Sequence, residues 1–381
     1  MAAQLSTKKR KPRVAFFIDE WRPGSGTENQ LQGLLSCLSP DHVDAHLFTL
    51  RKPIAPEHRS LFPCPVECLY VGGLVRPRAL FQLPGIAARL RREKFDLAMI
   101  YFVDSNFYMV PACRLAGIPE LVINRRDMGY WYEPSVLRKL NFVNRWATHF
   151  LVNAEAVKNQ VVGNEQVAAE QITVIPNGMW DLEHRRRLQN SSLTDPPPGF
   201  PAGGLVVGVT ASLRQVKRID RFLEMASKVL ESVPEVHFVI AGQGELRASL
   251  LGQASELGIA DRVVFLGQVA DVPGLLQRLH VGVLTSESEG LSNSLVEYGL
   301  AGVPAVTFDV GGNAEVVKEG ETGFLVPPGD TDAMADRVIQ LLIDNGRHEE
   351  MSGNAKAHCA STFAPERIRN LTLEFFRSLI D

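Results

Sequence analysis

The 381-residue sequence predicts an α/β protein built from two doubly wound, Rossmann-like domains that face a central cleft. Short apolar runs alternate with longer amphipathic segments, which is the pattern of parallel strands joined by crossover helices. The alternation starts again after residue 204, and the preceding stretch 190–204, rich in Pro, Ser, Gly and Asp, has the composition of a linker. A chain of this length also favours two domains over one.

Apolar runs with hydrophobic residues at consecutive positions indicate strands that are buried on both faces. The first sheet is expected to contain Val14–Ile18, His46–Leu50, Glu67–Val71, Leu97–Phe102, Leu121–Asn124, Phe150–Asn153 and Thr173–Pro176. The second is expected to contain Leu205–Ala211, His237–Gly242, Val263–Gly267, Val281–Ser286, Ala305–Asp309 and Gly323–Pro327.

Amphipathic segments between these runs are expected to form helices, and ligands in such folds bind in the loops after the strands. The clearest helical patterns are Asn29–Leu38, Pro84–Glu93, Ile219–Ser232, Glu245–Leu257, Val272–Leu279, Asn293–Ala301 and Thr331–Asp344. We divide the chain into a basic tail (1–13), an N-terminal domain (14–185), a linker (186–204), a C-terminal domain (205–362) and a final helix (363–381) that packs back toward the N-terminal domain.

The composition predicts a cytoplasmic globular protein, with 45% hydrophobic and 22% charged residues. No apolar run is long enough to cross a bilayer, and Val14–Ile18 is too short for a signal peptide. The five cysteines are scattered, and Cys64 and Cys68 have no second Cys or His pair nearby. Free thiols in a reducing compartment are therefore expected in preference to a zinc site.

The net charge of −3 conceals an asymmetry between the two halves of the chain. Residues 1–180 hold 22 Lys and Arg against 16 Asp and Glu, whereas residues 181–381 hold 18 against 27. The segment Arg76–Lys94, which includes Arg89, Arg91 and Arg92, combines cations with apolar residues at helical spacing. Such a helix suits an anionic membrane surface, but a surface helix with one buried face shows the same pattern. Nothing in the sequence indicates nucleic-acid binding.

The most informative motif follows the run at Val281 and places Glu289 and Glu297 on either side of a predicted helix start. The helix N-terminus there would present the backbone N–H groups of Gly290, Leu291, Ser292 and Asn293. These donors and the helix dipole favour a phosphate, and an adjacent carboxylate suits the paired hydroxyls of a sugar or ribose. A helix cap with solvated glutamates is the alternative.

Arg214 and Lys217 lie in the loop after Leu205–Ala211, where two cations can neutralise a leaving diphosphate. An exposed basic turn is the alternative reading of this pair. Two glycine-rich stretches, Gly24-Ser-Gly26 and Gly242-Gln-Gly244, lack the third glycine of a dinucleotide fingerprint. Nicotinamide binding is therefore not expected, although Gly26 permits a close backbone approach to a ligand.

In order and spacing, these motifs resemble family-four glycosyltransferases, the large retaining group with the GT-B fold, over nearly all of residues 14–370. The carriers are Gly26-Thr-Glu28, Pro176-Asn-Gly178, Ala211-Ser-Leu-Arg-Gln-Val-Lys217, Gly242-Gln-Gly244, Phe265-Leu-Gly267, Ser288-Glu-Gly-Leu-Ser-Asn-Ser-Leu-Val-Glu297 and Asp309-Val-Gly-Gly312. The resemblance implies that Glu289 binds the donor sugar and Glu297 the ribose hydroxyls. It also assigns Gly26 and Gly267 to the donor side, with a contact to the acceptor as the alternative for the loop that holds Gly26.

The sequence departs from the family pattern in two places. Relatives often place Arg where Ser212 stands here, so Arg214 is expected to act through its reach from two positions away. Many relatives carry a His after the strand at Leu121–Asn124, where this chain has Arg125, Arg126 and Asp127. Either Asp127 or one of the two arginines is expected to take over acceptor contacts, with a salt-bridged structural pair as the alternative for the arginines.

The resemblance implies a retaining transfer of a sugar from a nucleoside diphosphate sugar, with UDP favoured, to a hydroxyl of a glycan or lipid-linked acceptor. The resemblance also implies that the reaction needs no metal or cofactor. The acceptor would bind the N-terminal domain, at an anionic membrane face or, alternatively, as a small soluble molecule. A catalytically altered nucleotide-sugar-binding scaffold and a GT-B epimerase remain alternatives.

Overall fold

A computed structural model describes residues 10–23, 25–38, 40–71, 81–189 and 195–380. The chain divides into two compact units, the first formed by Met1–Trp180 with Pro365–Asp381 and the second by Asp181–Ala364. Five predicted features lie wholly or partly outside the described residues, namely 1–9 of the basic tail, Gly24, 76–80 of the segment Arg76–Lys94, 190–194 of the linker, and Asp381 of the final helix.

The first unit contains a parallel sheet of seven strands. They are β1 (Arg13–Ile18), β2 (Asp44–Thr49), β3 (Val66–Cys68), β4 (Leu97–Ile100), β5 (Glu120–Arg125), β6 (His149–Val152) and β7 (Ile172–Val174). Their order is β3-β2-β1-β4-β5-β6-β7, and in register Phe16 lies opposite Leu47 of β2 and Met99 of β4. The helices before Trp180 are α1 (Gly26–Cys37), α2 (Leu83–Glu93), α3 (Val103–Ala116), α4 (Pro134–Asn144) and α5 (Glu155–Asn164). Short 3-10 helices lie at Pro56–Leu61 and Ala169–Gln171.

The second unit contains a parallel sheet of six strands. They are β8 (Val206–Thr210), β9 (His237–Ala241), β10 (Val263–Gly267), β11 (Val281–Leu284), β12 (Ala305–Phe308) and β13 (Gly323–Val326), in the order β10-β9-β8-β11-β12-β13. Its helices are α6 (Leu182–Gln189), α7 (Ile219–Ser232), α8 (Arg247–Glu256), α9 (Val272–Leu276), α10 (Asn293–Ala301), α11 (Asn313–Val316), α12 (Thr331–Ile343) and α13 (Asn345–Thr362). A 3-10 turn spans Gln215–Lys217. The predicted α/β class with two doubly wound sheets is confirmed.

The sheets form where consecutive apolar residues allow burial on both faces. In β1, the five residues Val14–Ile18 are all fully buried, because α1 and the other helices cover the sheet. The last helix, α14 (Pro365–Ile380), joins the core of the first unit, where Phe376 meets Phe16 in an edge contact with ring centroids 6.5 Å apart. Residues 186–189 of the predicted linker are the second half of α6 and belong to the second unit.

Candidate active site

The second sheet reverses its strand order between β8 and β11, and parallel sheets bind ligands at such reversal points. Lys217 ends the 3-10 turn after β8, and Glu289 lies in the loop after β11. Lys217 Nζ lies 2.5 Å from Glu289 Oε1, with side chains 23% and 11% exposed. The fold therefore brings together a cation and a carboxylate that are 72 positions apart in the sequence.

Two further bonds hold these loops together. Thr285 Oγ1 donates to the Lys217 carbonyl at 3.0 Å, and the Glu287 N–H donates to the Val216 carbonyl at 2.9 Å. Arg214, the other predicted cation, precedes the same turn and its side chain is exposed. The ion pair is thus fixed by its surroundings, whereas Arg214 lies on the solvent side of the turn.

The start of α10 lies beside this ion pair. The Ser292 hydroxyl accepts from the backbone N–H three residues later at 3.4 Å, which caps the helix. The Gly290 carbonyl accepts from Gly312 N–H at 2.9 Å, so the glycine turn after β12 supports the loop. Residues 290–292 are buried, and Asn293 is half-buried as the first residue of the helix. The predicted helix start is confirmed.

Close packing fixes α10 on the sheet. A side-chain carbon at Gly282 of β11 would lie 2.5 Å from the ring of Tyr298, so only glycine admits this ring. The Tyr298 hydroxyl accepts from Thr210 N–H of β8 at 2.8 Å, and Ser294 Oγ donates to the Thr210 carbonyl at 2.8 Å. These contacts set the position of Glu297, the neighbour of Tyr298.

Glu297 has a partner that the sequence did not suggest. His184 of α6 places Nε2 3.3 Å from Glu297 Oε1. Burial lowers the pKa of His184, but the adjacent Glu297 carboxylate outweighs burial and leaves that pKa above its ordinary value. A single histidine in an arginine-rich helix carries no recognisable pattern. The contact follows from the packing of α6 against α10.

The loops after β8, β9 and β10 approach closely, and glycines make this possible. The predicted donor-side residue Gly267 accepts from Gly242 N–H at 2.7 Å. Gly242 has φ of 150°, and a side-chain carbon there would lie 1.8 Å from the Ala211 carbonyl oxygen. The glycines in this stretch therefore serve contact between backbones, in line with the absence of a dinucleotide fingerprint.

A second candidate site lies in the first unit, where the sheet reverses its order between β1 and β4. A cleft of about 470 Å³ opens there, and its lining includes Asp19, Tyr101, Arg126 and Asp127 from the carboxyl ends of β1, β4 and β5. Phe102 also lines it and has φ of 63°, because the chain turns directly from β4 into α3. Such strained backbone occurs preferentially at functional sites.

The start of α1 borders this cleft. Gly26 is the exposed first residue of the helix, and Thr27 lines the cleft. One turn further, Gln30 bonds to both backbone groups of Gly178, accepting from its N–H at 3.0 Å and donating to its carbonyl at 3.1 Å. The Gly26 and Gly178 motifs, far apart in the sequence, are therefore tied together.

Arg125 is buried in an ion pair with Glu165 of the segment after α5. Its Nε and Nη2 lie 2.7 and 2.8 Å from the two carboxylate oxygens, with side chains 3% and 0% exposed. Tyr132 Oη and Asn144 Nδ2 also donate to Glu165, at 2.5 and 2.9 Å. Burial raises the pKa of Glu165, but the Arg125 charge outweighs it and the pKa lies below its ordinary value. This geometry favours the structural-pair alternative for Arg125.

Two acids of the cleft have partners of their own. Asp127 Oδ1 accepts from Gly129 N–H at 2.8 Å and from Trp131 Nε1 at 2.9 Å, and burial raises the pKa of Asp127. Asp19 accepts from the Ser105 hydroxyl, and burial raises the pKa of Asp19 to about 6. Neither acid lies in a group of ligands suited to a metal, since the described residues hold no cluster of three or more His, Cys, Asp or Glu that could bind one.

All five cysteines are free thiols. Among the helices in the described parts of the chain, none is both long and apolar enough to cross a membrane.

Two bacterial relatives align with most of the chain. Streptomyces kanamyceticus alpha-D-kanosaminyltransferase is 33% identical over 291 residues, which cover 70% of this chain and 73% of that protein. Escherichia coli UDP-Gal:alpha-D-GlcNAc-diphosphoundecaprenol alpha-1,3-galactosyltransferase is 26% identical over 284 residues, which cover 69% of this chain and 73% of that protein. The chain spans less than half of two other curated relatives, 41% and 46% of their length.

The crystal structure of Anabaena HepE in complex with UDP has the same fold, with a TM-score of 0.79 and 22% identity over 96% of this chain and 100% of that one. Two parallel Rossmann-like sheets, each with polar side chains gathered where its strand order reverses, define the GT-B class of glycosyltransferase. Family models match residues 24–179 (Glycosyltransferase Family 4) and 193–358 (Glycosyl transferases group 1). The chain belongs to glycosyltransferase family 4, as its motifs predicted.

Proposed function

We propose that this protein transfers a sugar from a nucleoside diphosphate sugar, with UDP as the nucleotide, to a hydroxyl group of a glycan or lipid-linked acceptor. The observation that carries the proposal is the Lys217–Glu289 ion pair beside the N-terminus of α10. A cation and helix N–H groups suit a diphosphate, and a carboxylate suits sugar hydroxyls. This combination at the reversal point of a sheet is what a nucleotide sugar requires.

Each group has a chemical task in the proposed reaction. Lys217, with Arg214 at the mouth of the site and the N–H groups at 290–293, stabilises the negative charge that develops on the departing diphosphate. Glu289 orients the sugar hydroxyls, and Glu297 binds the ribose. Because protein cations and N–H groups serve the leaving group, the proposed reaction needs no metal. Membership of the family supports retention of the anomeric configuration.

The names of similar proteins support the donor and acceptor classes. The Escherichia coli relative uses UDP-Gal and acts on a diphosphoundecaprenol-linked sugar, and HepE binds UDP. We assign the acceptor to the cleft of the first unit, which has the second set of polar groups at a strand-order reversal.

Replacing Glu297 with alanine should weaken UDP binding by about 1.5–3 kcal/mol, the range for hydrogen bonds to charged groups. Titration calorimetry with UDP in excess chelator measures the change. The matched control is Glu224→Ala, which removes a carboxylate that pairs with Arg221 on the surface of α7 in the same unit. UDP affinity equal to that of the wild type in Glu297→Ala would contradict the ribose assignment. Binding of UDP without any sugar transfer would instead favour a nucleotide-sugar-binding scaffold.

The proposed acceptor class raises the question of a membrane-docking surface. In the segment Arg76–Lys94, two of the three arginines at 89, 91 and 92 form hydrogen bonds within the first unit. Arg89 donates to Glu67, and Arg91 donates to the Leu115 carbonyl. A different basic surface lies on α4 and the turn after it. It consists of the exposed side chains of Arg138, Lys139, Phe142, Arg145 and Trp146.

On this α4 surface the rings of Phe142 and Trp146, 57% and 39% exposed, meet in an edge contact with centroids 5.4 Å apart. Exposed aromatic rings among cations suit the interface of an anionic membrane. We propose that the protein docks there reversibly. The adjoining cleft, whose lining includes Lys139, would then face a lipid-linked acceptor.

Changing Arg138 and Arg145 to glutamate should reduce binding to anionic vesicles by at least about 30-fold, since each cation near such a surface contributes about 1 kcal/mol. Sedimentation with phosphatidylglycerol vesicles at low salt measures this, and neutral phosphatidylcholine vesicles should bind neither protein. Ile343→Ser, which removes an exposed apolar side chain of the second unit, is the control. Absence of wild-type binding to anionic vesicles would remove the docking proposal.

A further inference from the structure

Arg126 is a cation of the first unit's cleft that has no carboxylate partner among the described residues. It follows the last residue of β5, lines the cleft and is partly buried. Its Nη2 donates to Asn177 Oδ1 at 2.5 Å. Among the described residues no acidic side chain forms an ion pair with it. Burial lowers the pKa of Arg126, and the Tyr101 hydroxyl is the group that counters this effect.

Apart from Lys139, which is exposed, the other charged groups that line this cleft bond to partners other than Arg126. Arg125 is held by both oxygens of Glu165. Asp127 accepts from a backbone N–H and an indole, and Asp19 from a hydroxyl. Asp104 bonds to Arg51 at 2.5 Å. Arg126 is therefore a partly buried positive charge that donates to a neutral amide, and its guanidinium keeps its proton in proteins.

The position of Arg126 is fixed by its support. Asn177 is buried and also accepts from Asn153 Nδ2 at 3.5 Å. The next residue, Gly178, is bonded to Gln30 through both backbone groups. A guanidinium held in this way loses little side-chain freedom when it binds a ligand, and its fork matches the two oxygens of a carboxylate or phosphate.

We propose that Arg126 binds an oxyanion of the acceptor, so that the cleft selects acceptors that carry a phosphate or carboxylate group. The inference rests on the proposed function, because it names the class of acceptor for the transferase. An anion at this point offsets the burial of the Arg126 charge, as a buried ion pair requires. A neutral saccharide would leave the charge uncompensated, and the cleft would bind it more weakly.

Three probes distinguish the sources of the oxyanion, and each is titrated into the 381-residue chain saturated with UDP. They are geranyl diphosphate, methyl β-D-glucuronide and the neutral methyl β-D-glucoside. The wild type should bind at least one of the two anions, and Arg126→Gln should weaken that binding by about 10- to 150-fold, the loss of a charge-assisted hydrogen bond. Arg126→Lys, which keeps the charge, should recover part of the affinity. Binding of the glucoside should be equal in all three proteins.

If Arg126→Gln weakens binding of geranyl diphosphate alone, the acceptor class is a lipid diphosphate. If it weakens binding of the glucuronide alone, the acceptor class is an acidic sugar. Arg377→Gln, an exposed arginine of α14 in the same unit, is the control and should bind as the wild type does. Equal anion binding by the wild type and Arg126→Gln, or no anion binding by the wild type, overturns the inference. The proposed donor function is tested by a separate measurement of UDP affinity. The Arg126 inference can therefore be wrong while the donor function is right, and the reverse.

Discussion

Replacing Glu165 with alanine should destabilise the first unit by about 3–5 kcal/mol, the cost of breaking a buried ion pair by removing one partner. The variant leaves the Arg125 guanidinium, 3% exposed, without its carboxylate. It also removes the acceptor for Tyr132 and Asn144. Urea unfolding followed by tryptophan fluorescence measures the change in the first unit specifically. All four tryptophans, Trp21, Trp131, Trp146 and Trp180, belong to that unit.

Two control variants show whether the loss of stability in Glu165→Ala comes from breaking the ion pair or from removing any glutamate. Glu155→Ala removes an exposed carboxylate at the start of α5 and should change stability by no more than about 0.5 kcal/mol. The double variant Arg125→Met, Glu165→Leu should recover much of the lost stability, because it leaves no charge buried. A Glu165→Ala variant as stable as the wild type would show that the pair contributes nothing to the fold.

The pair also predicts a pH dependence. The pKa of Glu165 in the folded protein lies below its ordinary value of 4.5. Its contribution to stability is therefore complete above the ordinary pKa and is lost as the pH falls through the folded pKa. Glu165→Gln should accordingly lose less stability than the wild type on acidification below pH 4.5, when both are compared by urea unfolding.

Sequence pattern was sufficient where a single local rule decides the structure. The unbroken apolar run Val14–Ile18 became a fully buried strand. The loop with Glu289 was predicted to follow a strand and open a helix, and the structure confirms this at Asn293. The pairing of that loop with the turn at Lys217 also follows from the rule that parallel strands gather their carboxyl-terminal loops at one edge.

Secondary-structure propensity predicted the wrong end for one strand, because a turn interrupts it. The expected strand Leu97–Phe102 ends at Ile100, because Phe102 adopts φ of 63° and α3 begins at Val103. Aromatic residues favour strands, and neither a glycine nor a proline announces the turn. The strained turn lies on the cleft, which is where local rules are expected to fail for functional reasons.

Long-range polar partners were beyond sequence reasoning. The pairing of Arg125 with Glu165 joins positions 40 apart across three elements, and nothing local distinguishes Arg125 from Arg126. Yet the structure gives one arginine a carboxylate and the other a neutral amide. The partnership of His184 with Glu297 likewise depends on the packing of two helices. Residue type suggested each candidate, but only the fold separates structural support from ligand binding.

Replacing Lys217 with alanine should lower the rate of UDP release from a donor sugar by about 100- to 1,000-fold, the range for removing one donor that stabilises developing charge. Lys217 Nζ is already held 2.5 Å from Glu289 Oε1, so the cation is in place before any donor binds. Without Lys217, only the backbone N–H groups and Arg214, whose side chain is exposed, would stabilise the negative charge on the leaving diphosphate. UDP release from UDP-glucose, UDP-galactose and UDP-N-acetylglucosamine measures the effect.

The matched control for Lys217→Ala is Lys228→Ala, which removes a lysine that bonds to Thr331 and Asp332 at the surface of the same unit. Its rate should equal that of the wild type. Both variants are compared in excess chelator, where the wild type should retain its activity because Lys217 and the N–H groups at 290–293 serve the diphosphate. Activity that disappears in chelator and returns with magnesium would mean that a metal, and not Lys217, stabilises the leaving group. A wild-type rate in Lys217→Ala would remove this lysine from the proposed mechanism.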